Sequence, residues 1–166
     1  MAVSYHDIVR AAGLLEGIVA KTPLVKSLTL SNICQAEVYL KLENQQYTAS
    51  FKERGAYVKL ASLTPQEREK GVIAVSAGNH AQGVAYNAKR LSIPATIVMP
   101  KNTPFTKVHH TRSHGAEVVL IGNVFAESLE AAGKIQQERG LTFVHPFDDP
   151  HIIAGQGTVG LEILNE

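Results

Sequence analysis

Apolar positions recur along the chain at two periods, and the periods alternate. Ile8, Val9, Ala12, Leu15, Ile18 and Val19 fall at helical spacing behind Ser4, a residue type suited to capping. This predicts a helix over 4–19. Thr22-Pro23 breaks the pattern and begins an extended segment. Val38 to Leu42 alternates as a strand does, and a polar loop from Glu43 to Ala49 follows. Ser50-Phe51-Lys52-Glu53 then opens a helix expected to reach Leu63, with Ser50 as its cap and Glu53 completing a capping box.

Beyond that helix the alternation is regular. Strands are expected over 72–75, 95–99, 117–121 and 142–144. Helices are expected over 79–91, from Thr103-Pro104 onward, over 124–139 with Gly140 as the stop, and from Ile152 or Gly155 to the end. Strands alternating with helices imply βαβ units, hence an α/β fold with a parallel sheet flanked by helices. The last residues, Leu161 to Glu166, keep a helical pattern without a stop signal, which suggests a fragment.

Composition narrows the classes. A length of 166 residues suits one ordinary domain or two small lobes. Hydrophobic residues make up 45% and charged residues 19%, as in soluble globular proteins. A net charge of +1 gives no reason to expect nucleic acid or an acidic membrane as partner. No apolar run approaches the roughly 20 residues that span a bilayer. The early acid Asp7 and the helical spacing around it do not match a secretory signal. The single cysteine, Cys34, excludes an internal disulfide and fits the cytoplasm. It is expected to be buried or half-buried.

Candidate chemistry concentrates where strands hand over to helices, since open parallel sheets bind ligands beyond the carboxyl ends of their strands. Ser76-Ala77-Gly78-Asn79-His80 follows a strand and starts a helix. Small residues let a ligand approach the backbone, and free N–H groups at a helix start attract an anion. An ordinary capped βα turn has the same spacing. Lys52 sits in a helix's first turn, where the dipole disfavours a cation. A neutral amine suited to Schiff-base chemistry fits that position, and so does a surface lysine balanced by Glu53. Gly155-Gln156-Gly157-Thr158-Val159-Gly160 matches G-x-G-x-x-G, but no strand precedes it and no acid follows at the required distance. A closely packed helix start explains it better. His109, His110 and His114 read as the solvated face of a helix, and Lys107 and Arg112 as surface charges.

SFKERGAY (50–57), SAGNHAQGVA (76–85), IVMPKNTPFTKV (97–108) and HPFDDPHIIAGQGTVGLEIL (145–164) together resemble the threonine/serine dehydratases. These are pyridoxal-phosphate (PLP) enzymes of the tryptophan-synthase-β-like fold. The resemblance implies deamination of L-threonine, and of L-serine, by β-elimination to a 2-oxo acid and ammonia. It implies that Lys52 carries the cofactor as a Schiff base and acts as general base. Phe51 would lie near the cofactor ring and Asn79 would bond its ring hydroxyl. Ser76, Ala77, Gly78 and His80 would receive the substrate carboxylate, with Pro146 and Phe147 near the substrate side chain.

Related serine racemases carry a second serine where this loop has Ala77, so racemisation by two bases is not expected. The same motifs would also suit a threonine synthase, or a non-catalytic piece lacking the phosphate-binding half. The resemblance further implies a small α/β domain over 50–144, with 1–49 and 145–166 belonging to an incomplete larger domain. A homo-oligomer is expected at full length.

Overall fold

The structure is a computed structural model and describes residues 2–166. Helix α1 (Tyr5–Leu15) begins where expected: Ser4 accepts from Asp7 N and Asp7 completes a capping box. It stops short of Val19 because Glu16 is extended and Gly17 turns with φ of 70°. Strands β1 (Leu24–Lys26) and β2 (Tyr39–Lys41) pair antiparallel. Between them lies α2 (Leu28–Cys34), which the periodicity does not announce. Cys34 ends that helix exposed, contrary to expectation. Seven residues cannot establish which face of a helix is apolar, and none of α2 is buried.

Helix α3 (Lys52–Ala61) carries the lysine of interest. Its expected capping box is absent. Phe51 is already in helical conformation and occupies the cap position without a side-chain bond. Glu53 turns back instead, and its Oε2 accepts from Thr48 N at 2.7 Å and Thr48 Oγ1 at 2.8 Å. Ser50 Oγ accepts from Lys52 N at 3.2 Å. The short helix α4 (Pro65–Lys70) is a second element that the periodicity misses. Its capping box of Thr64 and Glu67 was the available signal.

The rest alternates as expected: β3 (Val72–Val75), α5 (Asn79–Arg90), β4 (Ala95–Met99), α6 (Phe105–Ser113), β5 (Glu117–Leu120), α7 (Phe125–Arg139), β6 (Thr142–Phe143) and α8 (Pro150–Asn165). Gly140, with φ of 65°, ends α7 in the left-handed conformation. Asp149 caps α8, so the G-x-G-x-x-G stretch lies inside that helix, not at its start. His109 and His110 are exposed on α6, while His114 is half-buried against the Tyr86 ring. No helix among the described residues is long and apolar enough to cross a membrane.

Strands β3 to β6 form one parallel sheet in the order β5-β4-β3-β6. Its central strand, β3, is buried on both faces, as continuous apolar runs in parallel sheets are. Val72 and Ala74 pack with α3, α5 and Ile152 on one side. Ile73 and Val75 pack with Ala132 and Ile135 of α7 on the other. A further apolar cluster joins Ala11 and Leu15 of α1 to Val58 of α3 and Ala154 of α8. Helix α3 therefore contributes to two cores.

The strand order contains a reversal. From β3 the chain steps outward to β4 and β5, then returns to place β6 on the opposite side of β3. The turn that leaves β3 and the loop that leaves β6 therefore lie side by side, at the carboxyl ends of neighbouring parallel strands, and the crevice beyond such ends is where open α/β sheets bind ligands.

Candidate active site

That crevice collects the candidate residues. Lys52 stands at the first position of α3 and is half-buried. Its Nζ donates to the carbonyl of Pro146, in the loop after β6, at 2.9 Å. Burial holds the Lys52 ammonium below the usual lysine range. The Phe51 ring centroid lies 5.4 Å from Nζ. Glu53 does not neutralise Lys52: it is 1% exposed, faces Thr48, and burial pushes its carboxyl above the usual range.

The turn after β3 lies across the same crevice. Ser76 N donates to Val98 O at 3.2 Å, which continues the β3–β4 ladder to the last residue before the turn. Ser76 Oγ accepts from Gly78 N at 3.2 Å. No side chain caps α5, so the first N–H groups of this 12-residue helix are uncapped. A Cβ at Gly78 would meet nothing within 4 Å, so the backbone here borders open space. Asn79 is exposed, and Ala77 presents only a methyl group. The turn can thus accept an anion.

His80 belongs to the turn but points inward. It is 4% exposed, and its Nε2 lies 3.0 Å from Val144 O. Burial pushes the imidazole pKa down to about 4, with nearby Lys52 and His145 adding to the effect. The family resemblance puts His80 in the loop whose backbone receives the carboxylate; its side chain reaches the residue just past β6. Pro146 is half-buried beside Lys52, and Phe147 is 67% exposed.

Helix α3 is held by close crossings on two sides. An added Cβ at Gly83 of α5 would lie 3.1 Å from Glu53 N, and Asn87 Nδ2 donates to Glu53 O at 2.9 Å. At the other crossing a Cβ on Gly155 of α8 would lie 2.5 Å from Gly55 Cα. Gln156 Oε1 accepts from Gly55 N at 3.0 Å, so α8 supplies the capping acceptor that Phe51 cannot.

One turn of ionic structure completes the mount, and its residues were not foreseen as supports. The Arg54 side chain is fully buried. It donates to Glu43 through Nε at 2.8 Å and Nη2 at 2.9 Å, and to Glu162 through Nη1 at 2.6 Å and Nη2 at 3.0 Å. Lys41 joins Glu162 at 2.9 Å. Burial alone would raise the Glu43 and Glu162 carboxyls, but bonds to Arg54 hold both below the usual carboxylate range. Thr22 Oγ1 on Glu43, at 2.6 Å, assists. An alternating sequence carries no signal for this cluster, because its members lie 104 and more residues apart at the extremes.

Known proteins share this fold and much of this sequence. A family model described as pyridoxal-phosphate dependent enzyme matches residues 15–166. The L-threonine ammonia-lyase of Thermotoga maritima is 54% identical over 99% of the chain, and 41% of that relative is covered. The solved structure of the processed form of threonine deaminase isoform 2 from Solanum lycopersicum is 39% identical. Its TM-score is 0.88 over 99% of this chain and 47% of that one. The maize serine racemase structure is 32% identical, with a TM-score of 0.94 over 99% of this chain and 50% of that one. The chain thus spans about half the length of the relatives it matches. With an amine-bearing helix and an anion-accepting turn on a parallel sheet, and with that match over most of its length, the chain belongs to the pyridoxal-phosphate-dependent enzyme family.

Proposed function

We propose that the chain carries the lysine-bearing part of a PLP-dependent lyase that deaminates L-threonine, and L-serine, by β-elimination. The observation that supports this most is that Lys52 Nζ is held by Pro146 O in the loop after β6, next to β3, whose own exit is the uncapped turn 76–80. The residues fit the cofactor. An amine whose proton is already destabilised by burial is ready for Schiff-base formation. Open space at Gly78 leaves room for a ligand against the backbone.

Lys52 would hold the cofactor through Nζ, with Phe51 against the ring and Asn79 on the ring hydroxyl. Bound there, the cofactor delocalises the electron pair left at the substrate α-carbon. Ser76, Ala77, Gly78 and His80 form the loop that receives the substrate carboxylate, with the free backbone N–H groups of Ala77 and His80 as donors, which fixes the direction of the α C–H bond. Lys52 Nζ, once free, removes the α-proton. The β-hydroxyl leaves with a proton as water, balanced by the α-proton that Lys52 Nζ took up; the enamine product becomes an imine, which water hydrolyses to the 2-oxo acid and ammonia.

A racemase would need a second proton-transferring group at the turn. Ala77 cannot supply one. By the same family resemblance, 50–144 forms a small domain and 1–49 with 145–166 belong to a larger one. The full-length enzyme is a homo-oligomer of the cytoplasm.

The test uses full-length protein. L-Threonine should yield 2-oxobutanoate, and borohydride followed by peptide mapping should place a pyridoxyl group on Lys52. Lys52→Ala should lose both signals. A Lys52→Ala protein that still turns over threonine would refute the assignment. A panel that finds D-serine in place of 2-oxo acids would favour the racemase.

A further inference from the structure

His80 has a side chain that this reaction does not use. Its position in the turn suggests substrate contact, yet the imidazole is buried and meets the carbonyl of Val144. A carbonyl oxygen only accepts, so Nε2 carries the hydrogen. Nδ1 is buried with no partner among the described residues. A protonated ring would place an N–H there with nothing to receive it. The ring is therefore the neutral Nε2–H form.

The segment that His80 grips is the one that holds Lys52. Val144 O takes the His80 hydrogen, and Pro146 O, two residues on, takes one from Lys52 Nζ. Between them His145 folds the segment tightly, its Nδ1 accepting from Phe147 N at 3.2 Å and Asp148 N at 2.7 Å. The segment then ends at Asp149, which pairs with Lys59 of α3 at 2.7 Å and caps α8. It is a strap, tied to α5 at one end and to α3 at two points.

We infer that His80 is a positioning residue: through the strap 144–149 it sets where the Lys52 amine stands relative to the anion-accepting turn. The turn and the amine lie on different helices, α5 and α3, and the strap bonds to both. A lysine amine that donates one hydrogen to a fixed carbonyl has its lone pair directed by that bond, and a general base needs that direction to be reproducible. The charged and titratable groups near the His80 ring are Lys52 and His145, both on this strap or bonded to it. This inference rests on the reading of Lys52 as the amine that does chemistry.

The experiment compares His80→Phe, which fills the space without a donor, with His80→Gln, which keeps an N–H, in the full-length holoenzyme. His80→Phe should lower kcat for L-threonine roughly ten- to a hundred-fold, with a smaller change in KM, and should shift the basic limb of the pH–rate profile. Amide hydrogen exchange at Phe147 and Asp148 should quicken by about tenfold or more. His80→Gln should restore most of both. Unchanged exchange in His80→Phe, or equal losses in the two variants, would overturn the inference. Should His80→Phe fail to fold, ¹⁵N NMR of the unsubstituted protein decides: a neutral Nε2–H ring near pH 6 supports the strap, and an Nδ1–H ring refutes it. Exchange and tautomer are read without turnover, so a failure of the proposed reaction leaves these two results standing on their own.

Discussion

At the scale of single residues, the environment decides what each ionisable group contributes. His80 has a consequence for stability near neutral pH. Its pKa falls from an ordinary 6.5 to about 4 on folding. The unfolded chain binds more protons across that window, so stability is complete above pH 6.5 and declines as pH falls toward 4. The full difference is about 3 kcal/mol. Urea unfolding between pH 7 and pH 4 should show this slope, and His80→Gln should flatten it. Glu43 and Glu162 act lower down, since their carboxyls are held below the ordinary 4.5. The stability they contribute is present above that value and lost as pH falls through their folded values. Lys52 has the opposite character: its burial is a cost to the ammonium form that serves a reactive amine.

At the scale of elements, helix crossings dominate. Gly155 of α8 lies so close to Gly55 of α3 that a methyl group has no space. Gly155→Ala should destabilise by about 3 kcal/mol. Gly160→Ala, in the same helix but facing nothing within 4 Å, should instead stabilise by roughly 0.8 kcal/mol. Chemical denaturation of the pair would separate packing from helix propensity, and equal effects would contradict the crossing.

This scale also shows what the sequence made legible. Strands β3 and β4 and helices α5 and α7 follow from apolar spacing, because each buries a face that its own pattern declares. Helices α2 and α4 are too short to declare one. The literal glycine pattern of 155–160 points to a helix start, whereas Gly155 serves a crossing in mid-helix. The placement of Lys52 at a helix start, and of 76–80 where a strand hands over to a helix, was legible from local spacing. That the His80 ring faces inward was not, since the direction depends on β6 returning beside β3, and nothing in a linear pattern specifies strand order. The absence of a capping box at Glu53 has the same origin: Thr48 competes for the carboxylate only after the loop has folded.

At the scale of the whole molecule, a buried ionic cluster ties segments from both ends of the chain to α3. Arg54 bonds Glu43, Thr158 and Glu162, while Lys41 bonds Glu162 and Glu166. Such clusters add little over an apolar core of equal volume, but removing one partner strands the others. Arg54→Met should therefore destabilise by about 4 kcal/mol, read as a lower midpoint in thermal or urea unfolding. A variant of undiminished stability would show that water reaches Glu43 and Glu162. The cluster lies two residues from Lys52 in sequence, so the same helix that presents the amine is the one most firmly anchored.

Helix α3 leaves little freedom for substitution. Residues 53–56 are buried, one bears the ionic cluster, and one lies at a glycine crossing. Phe105 and Phe147, by contrast, are exposed around the carboxyl ends of the strands. Heritable change in substrate preference has to accumulate in that outer ring, because replacements at 53–56 disturb the mount before they alter selectivity. A laboratory selection for new substrates would save its diversity for the loops and leave 52–56 untouched.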